Sequence, residues 1–146
     1  MEPISMAITA WKVGAALKDY ASSKTVRLTI QNPTRSRAVI SLCIGDPESA
    51  VAGGWIEMDP GNVWASEIAI ARFSPTTLLF WGLAPDILGG RWQGDQPFYT
   101  LAGSNFIIEQ ARGASPKLVS GNGKMQQVRG LREEISDDHT IVLGGD

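Results

Sequence analysis

A mainly β, single-domain antiparallel β-sandwich or small barrel is the fold this chain predicts, and three observations carry the prediction. Apolar and polar residues alternate with a period of two over several short runs. Turn-forming Gly, Pro and Asn punctuate those runs at intervals of roughly ten residues. The chain has 146 residues, 43% apolar and 19% charged, which is one domain's worth and too apolar for a disordered chain. At this length folding buries roughly two thirds of the surface that the unfolded chain exposes.

The first 24 residues read as a separate segment. Ile4, Ile8, Trp11 and Ala15 recur at helical spacing and Pro3 suits a first turn, which predicts a short N-terminal helix. The rival reading is a strand from Ala7 to Val13 that Gly14 ends. The β-domain is expected over residues 25–143, with 144–146 as a tail. Val26, Leu28 and Ile30 alternate with Arg27, Thr29 and Gln31 before Asn32-Pro33-Thr34 turns the chain. Ala38 to Ile44, more continuously apolar and ended by Gly45-Asp46-Pro47, is expected to pair with that strand as a hairpin at the centre of the sheet.

Trp55 to Met58 reads as the next strand, closed by Asp59-Pro60-Gly61-Asn62, where Pro fixes φ and Gly accommodates a positive one. Val63 to Ala71 alternates again, with Trp64, Ser66, Ile68 and Ile70 on one side. Thr76 to Leu83 is rich in β-branched and aromatic residues between Pro75 and Pro85, which predicts a buried strand. Ala84 to Gln96, with Gly89-Gly90, is expected to be a long loop carrying Trp92. Pro97 to Leu101 and Asn105 to Glu109 flank Ala102-Gly103-Ser104 as two short strands. Leu118-Val119 and Met125 to Val128 around Gly121-Asn122-Gly123 predict a hairpin, and His139 to Leu143 a last strand.

Composition narrows the function classes. Thirteen basic and fifteen acidic residues leave a formal charge of −2, with no basic cluster beyond Arg35 and Arg37, so the electrostatic footprint of a nucleic-acid partner is missing. The longest apolar run, Leu78 to Leu83, is far short of the ~20 residues a membrane helix needs. Glu2 stands where a secretory leader is basic, and Lys12 and Lys18 interrupt the apolar residues that follow. The expectation is a soluble protein, cytoplasmic or released without a signal peptide. Cys43 is the only cysteine and lies in an apolar run, which predicts a buried thiol and no internal disulfide.

No residue set predicts a cofactor or a metal. His139, the only histidine, follows Asp137 and Asp138 and reads as a solvated turn into the last strand. No Gly-x-Ser-x-Gly elbow is present. Glu57, Asp59 and Asp95 could supply paired carboxylates for a hydrolase, but acidic residues in turns ordinarily cap backbone groups, so a non-enzymatic protein is expected.

The five tryptophans are the main resource. Trp64 and Trp81 fall inside predicted strands and read as core. Trp55 and Trp92 lie beside glycines, and with Arg91, Asp95 and Phe98 they are the candidate binding residues for a sugar, a base or a lipid interface. The competing reading packs both rings over neighbouring backbone.

Asn32 and Thr34, Gly54 and Trp55, Pro60 and Gly61, then Trp92, Gly94 and Phe98 with Phe106 and Ile107 resemble the motifs of a family of small bacterial β-domains of unknown function, over about residues 25 to 143. Where members of that family tend to carry cysteines this chain has Asn62 and Tyr99, so any bridge between them is absent here. The resemblance implies the fold and a non-catalytic binding role. Size, acidity and tryptophan count also resemble the small acidic β-sandwich cytolysins, which implies an alternative: a binder of membrane or glycan surfaces, with a lipid headgroup or sugar as ligand. The leading expectation is a non-enzymatic binding or assembly module, a β-scaffold presenting aromatic loops to a protein partner or to its own copies.

Overall fold

Residues 23–45, 48–85, 91–111 and 113–144 are described by the structure, a computed structural model, and all of their regular structure is strand. The helix expected near the N-terminus lies outside these residues, except that Ser23 and Lys24 open the first strand, β1 (Ser23–Gln31). It is followed by β2 (Ala38–Gly45), β3 (Ser49–Met58), β4 (Val63–Ala71), β5 (Thr76–Leu83), β6 (Arg91–Trp92), β7 (Gln96–Leu101), β8 (Phe106–Ala111), β9 (Lys117–Ser120), β10 (Met125–Ile135) and β11 (His139–Val142). No helix among the described residues is long and apolar enough to cross a membrane.

The strands form two sheets. The smaller runs β11-β1-β4 and is mixed, with β11 parallel and β4 antiparallel to β1. The larger runs β7-β10-β5-β2-β3-β8-β9, antiparallel throughout, with β6 added beside β5. It curls into a half-barrel, so that β7 at one end returns to lie near β8 and β3. The result is a sandwich of a curled sheet and a small one, as the alternating pattern predicts.

Two pairings differ from those the turns predict. β1 and β2 form no hairpin, because each sits inside a different sheet. The cause is Asn32, which is 1% exposed. Its Nδ2 donates to the carbonyls of Ser36 at 2.8 Å, Met58 at 3.4 Å and Asp59 at 3.3 Å, and its Oδ1 accepts from the Thr34 hydroxyl at 2.6 Å and the Thr34 N–H at 3.2 Å. The Asn32 N–H also donates to Asn62 O and its carbonyl accepts from Gly61 N–H. A side chain so occupied ties the β1–β2 corner to the β3–β4 turn, so two of the crossings between the sheets are fastened together. A buried amide is stable only when satisfied this fully.

Gly121-Asn122-Gly123 is likewise no hairpin turn, since β9 pairs with β8 while β10 pairs with β7 and β5. Its glycines serve close packing and positive φ instead: a Cβ on Gly121, at φ +123°, would lie 2.8 Å from Leu101 Cδ2. The loop expected from Ala84 to Gln96 contains β6, whose Trp92 stands opposite Gly82 of β5. Residues 86–90 of that loop lie outside the described residues.

β2 and β5 bury both faces, which explains why they read as continuous apolar runs rather than as alternation. One face packs on the small sheet, joining Ile40, Leu42, Leu78 and Phe80 to Leu28, Ile30, Ile68 and Ile70. The other lies inside the curl, where Cys43 and Trp81 meet Phe98, Phe106, Ile108 and Val128. Each fully buried aliphatic or aromatic side chain contributes about 1.5–3 kcal/mol. β10 serves both ends by changing partner at Gly130, where a Cβ would lie 2.6 Å from Phe98 Cε1 and 2.9 Å from Phe80 O. Only a residue without a side chain turns that corner.

Candidate functional site: the mouth of the curled sheet

The site is built around a phase change in β3. Ala52 and Gly54 stand opposite Cys43 and Ser41, facing into the curl, whereas Ile56 stands opposite Ile40 and faces the small sheet. Strict alternation cannot satisfy both, and the register shifts between Ile40 and Ser41, leaving Trp55 without an opposite residue. This β-bulge aims the Trp55 ring into the curl. There it meets Phe106 edge to face at 5.6 Å and 68°, and Trp81 at 5.8 Å and 63°. Gly54 leaves the room, since a Cβ on it would already touch Phe106 Cε1 and Ser41 Cβ at 3.2 Å.

Both polar groups of Trp55 then hold the mouth in place. Its indole N–H donates to Leu101 O at 2.9 Å, and its backbone N–H donates to Asn105 Oδ1 at 2.8 Å. The β3–β8 ladder ends at the Gly54–Phe106 pair, so the Asn105 side chain supplies the rung that the ladder lacks. The turn from Ala102 to Asn105 joins β7, at one end of the sheet, to β8, near the other, and therefore bridges the mouth. The Ser104 hydroxyl also accepts the Asn122 N–H at 3.1 Å, which fastens the β9–β10 turn to the same place.

A cavity of about 460 Å³ opens between this turn and the sheet. Val39, Leu83, Trp81 and Trp55 form its apolar wall, Glu57 and Gln126 stand on its sides, and Ala102, Gly103, Ser104 and Asn105 form its rim. Glu57 faces Arg37 in an ion pair of 3.4 Å, both side chains well exposed, an arrangement worth at most about 1 kcal/mol that nonetheless balances charge at the rim.

The candidate binding residues do not converge. Trp55 lines the cavity. Trp92 lies on the opposite face of the same sheet, packed against the core between the sheets, with its indole N–H donating to Gly144 O at 2.6 Å. Phe98 is 1% exposed and fills the interior of the curl, so it is a core residue and not a contact surface. Arg91 lies in β6 with its backbone opposite Leu83. Asp95 is exposed in the bend that follows. Trp81 is buried, as expected of a strand tryptophan, and it also forms part of the cavity wall.

The remaining chemistry is sparse. Of the carboxylates considered for hydrolysis, Glu57 alone lines the cavity, while Asp59 and Asp95 are exposed in turn and bend positions. His139 is half-buried and its Nε2 lies 2.8 Å from Glu133 Oε1. Burial pushes the Cys43 thiol up to about 12, so it stays protonated and inert. No group of His, Cys, Asp and Glu that could hold a metal ion occurs among the described residues.

Asn105 and Gln126 are the site residues that sequence reasoning misses. Gln126 is in phase with Val128, which faces into the curl, but that face is known only once β10 is paired with β7. No protein-family model matches this chain, and neither a curated protein nor a solved structure matches it.

Proposed function

We propose that this protein is a non-enzymatic binding module whose recognition site is the mouth of the curled sheet. The observation that carries the reading is the cavity walled by Trp55 and Trp81, whose volume falls in the roughly 300–1,000 Å³ range of small-molecule sites. An apolar wall with a few placed polar groups is the usual composition of such a site. Trp55 is held rather than presented: its N–H groups are spent on Leu101 and Asn105, so the ring is preorganised and offers only its surface. The test is a ligand-observed NMR screen of small fragments against the protein and its Ala102→Trp variant. Ala102 is exposed on the rim, so a large ring there obstructs the cavity without burying a strained side chain. Hits that vanish in a variant of unchanged melting temperature support the reading, and hits that all persist refute it.

A second reading, assembly with its own copies, rests on β4. This nine-residue strand is an edge of the small sheet among the described residues, carries Glu67 as its one charged residue and exposes 60% of Val63. Long apolar edges are templates for pairing. Light scattering over a wide concentration range separates the two, because edge pairing requires a mass that grows with concentration and that Ala69→Pro in β4 abolishes.

A further inference from the structure

We propose that the ligand class of this cavity is a neutral saccharide, an inference that rests on the mouth of the curl being the recognition site. Three features of the wall and rim narrow the choice, and each removes a competing class.

The first is the shape of the apolar surface. The Trp55 and Trp81 rings meet at 63° with centroids 5.8 Å apart, so they form a corner and not a slot. A slot between parallel rings suits a flat aromatic ligand sandwiched on both sides. A corner suits a ring with one apolar face and a hydroxylated edge, because the C–H groups of a pyranose face carry partial positive charge and rest on the negative face of an indole.

The second is unused hydrogen-bonding capacity beside that corner. Asn105 uses its Oδ1 on the Trp55 N–H, which leaves its amide donors uncommitted, and the Gln126 amide beside it offers both a donor and an acceptor. A purely apolar ligand would strip water from these groups and return nothing, at the cost of an unmade bond for each. A ligand rich in hydroxyls answers all of them, since each hydroxyl both donates and accepts.

The third is charge. Among the described residues Glu57 carries the only formal charge in the lining, and Arg37 faces it at 3.4 Å. Among the described lining residues a phosphate or carboxylate ligand finds no cation, and an organic cation must compete with Arg37 for the Glu57 carboxylate. What remains favours an uncharged polyol.

The experiment is a saturation-transfer NMR titration of the full chain with four neutral sugars (glucose, galactose, N-acetylglucosamine and cellobiose) at millimolar concentrations. Choline and benzyl alcohol run as the cationic and apolar probes, and Gln126→Ala and Ala102→Trp as variants checked for unchanged melting temperature. The expected result is binding of at least one sugar, weakened roughly three- to ten-fold in Gln126→Ala, the cost of about one hydrogen bond, and abolished in Ala102→Trp. Sugar signals that survive both substitutions overturn the proposal, because the contact is then elsewhere. If choline or benzyl alcohol binds in an Ala102-dependent way and no sugar does, the saccharide inference fails while the binding site stands. If no probe of any class responds to Ala102→Trp, both fail.

Discussion

The two faces of the large sheet are made by the same strands and end differently. β2 sends Ile40 and Leu42 toward the small sheet and Ser41 and Cys43 into the curl, while β5 divides Leu78 and Phe80 from Trp81 in the same way. The first face meets a second sheet of matching Leu, Ile and Val, and the contact is mainly aliphatic. The second has no sheet to meet. It closes by curling on itself around aromatics, and a curl of seven strands does not seal, so polar Ser41 and Thr100 are carried inside and a cavity remains at the mouth. A face finished by another layer is covered along its length, and a face finished by curvature leaves a cavity at its mouth.

The comparison predicts unequal sensitivity. On the face toward the small sheet, Ile40→Ala removes a side chain with no exposed surface that also packs over Gly82, and it is expected to cost about 2–5 kcal/mol in urea unfolding, at the upper end of single substitutions. A cost below about 1 kcal/mol would mean that the two sheets are not locked together there.

Inside the curl the prediction changes sign. Thr100 is fully buried and its Oγ1 has no hydrogen-bond partner among the described residues. Thr100→Val keeps the shape and removes the unmet hydroxyl, so it is expected to raise stability by about 1 kcal/mol, read as a higher urea midpoint at unchanged slope. A loss of stability instead would show that the hydroxyl is satisfied in solution and that the curl is wetter than the packing implies.

The smallest effect lies at the exposed rim of β10. A hydrogen bond from Arg132 at 2.6 Å, with a second from Thr77 at 3.0 Å, holds the Glu134 carboxyl below the ordinary glutamate value. Because the folded value is the lowered one, this stabilisation is complete above the ordinary glutamate range and drains away as pH falls through the folded value. The group is well exposed, so Glu134→Gln is expected to cost under ~1 kcal/mol at neutral pH and nothing in acid. Equal costs at both pH values would remove the ionic explanation.

Much of the strand content was legible. Val63 to Ala71 and Thr76 to Leu83 form strands over the residues that alternation and the flanking Pro75 and Pro85 indicate, because a two-residue period and a proline break are local properties. The burial of Cys43 and Trp81 follows from the same runs. Of the candidate site, Trp55 and Glu57 were singled out by sequence and line the cavity. Phe98 and Trp92 share the glycine-rich surroundings of Trp55 in sequence, but composition near a turn does not say which side of a sheet a ring takes.

The sequence by itself therefore determined the class of fold and the positions of most strands, both of which depend on residues within about ten positions of one another. Only the tertiary structure decided which strands pair, and with them the site. Asn32 reads as a turn residue until the carbonyls of Met58 and Asp59 are brought to it. Trp55 reads as one more alternating strand position until its neighbour β2 withholds an opposite residue and turns the ring inward. Asn105 and Gln126 become cavity residues only when β7 is carried across the mouth to β8. Pairing is settled by which distant faces can be buried together, and no local window of sequence contains that information.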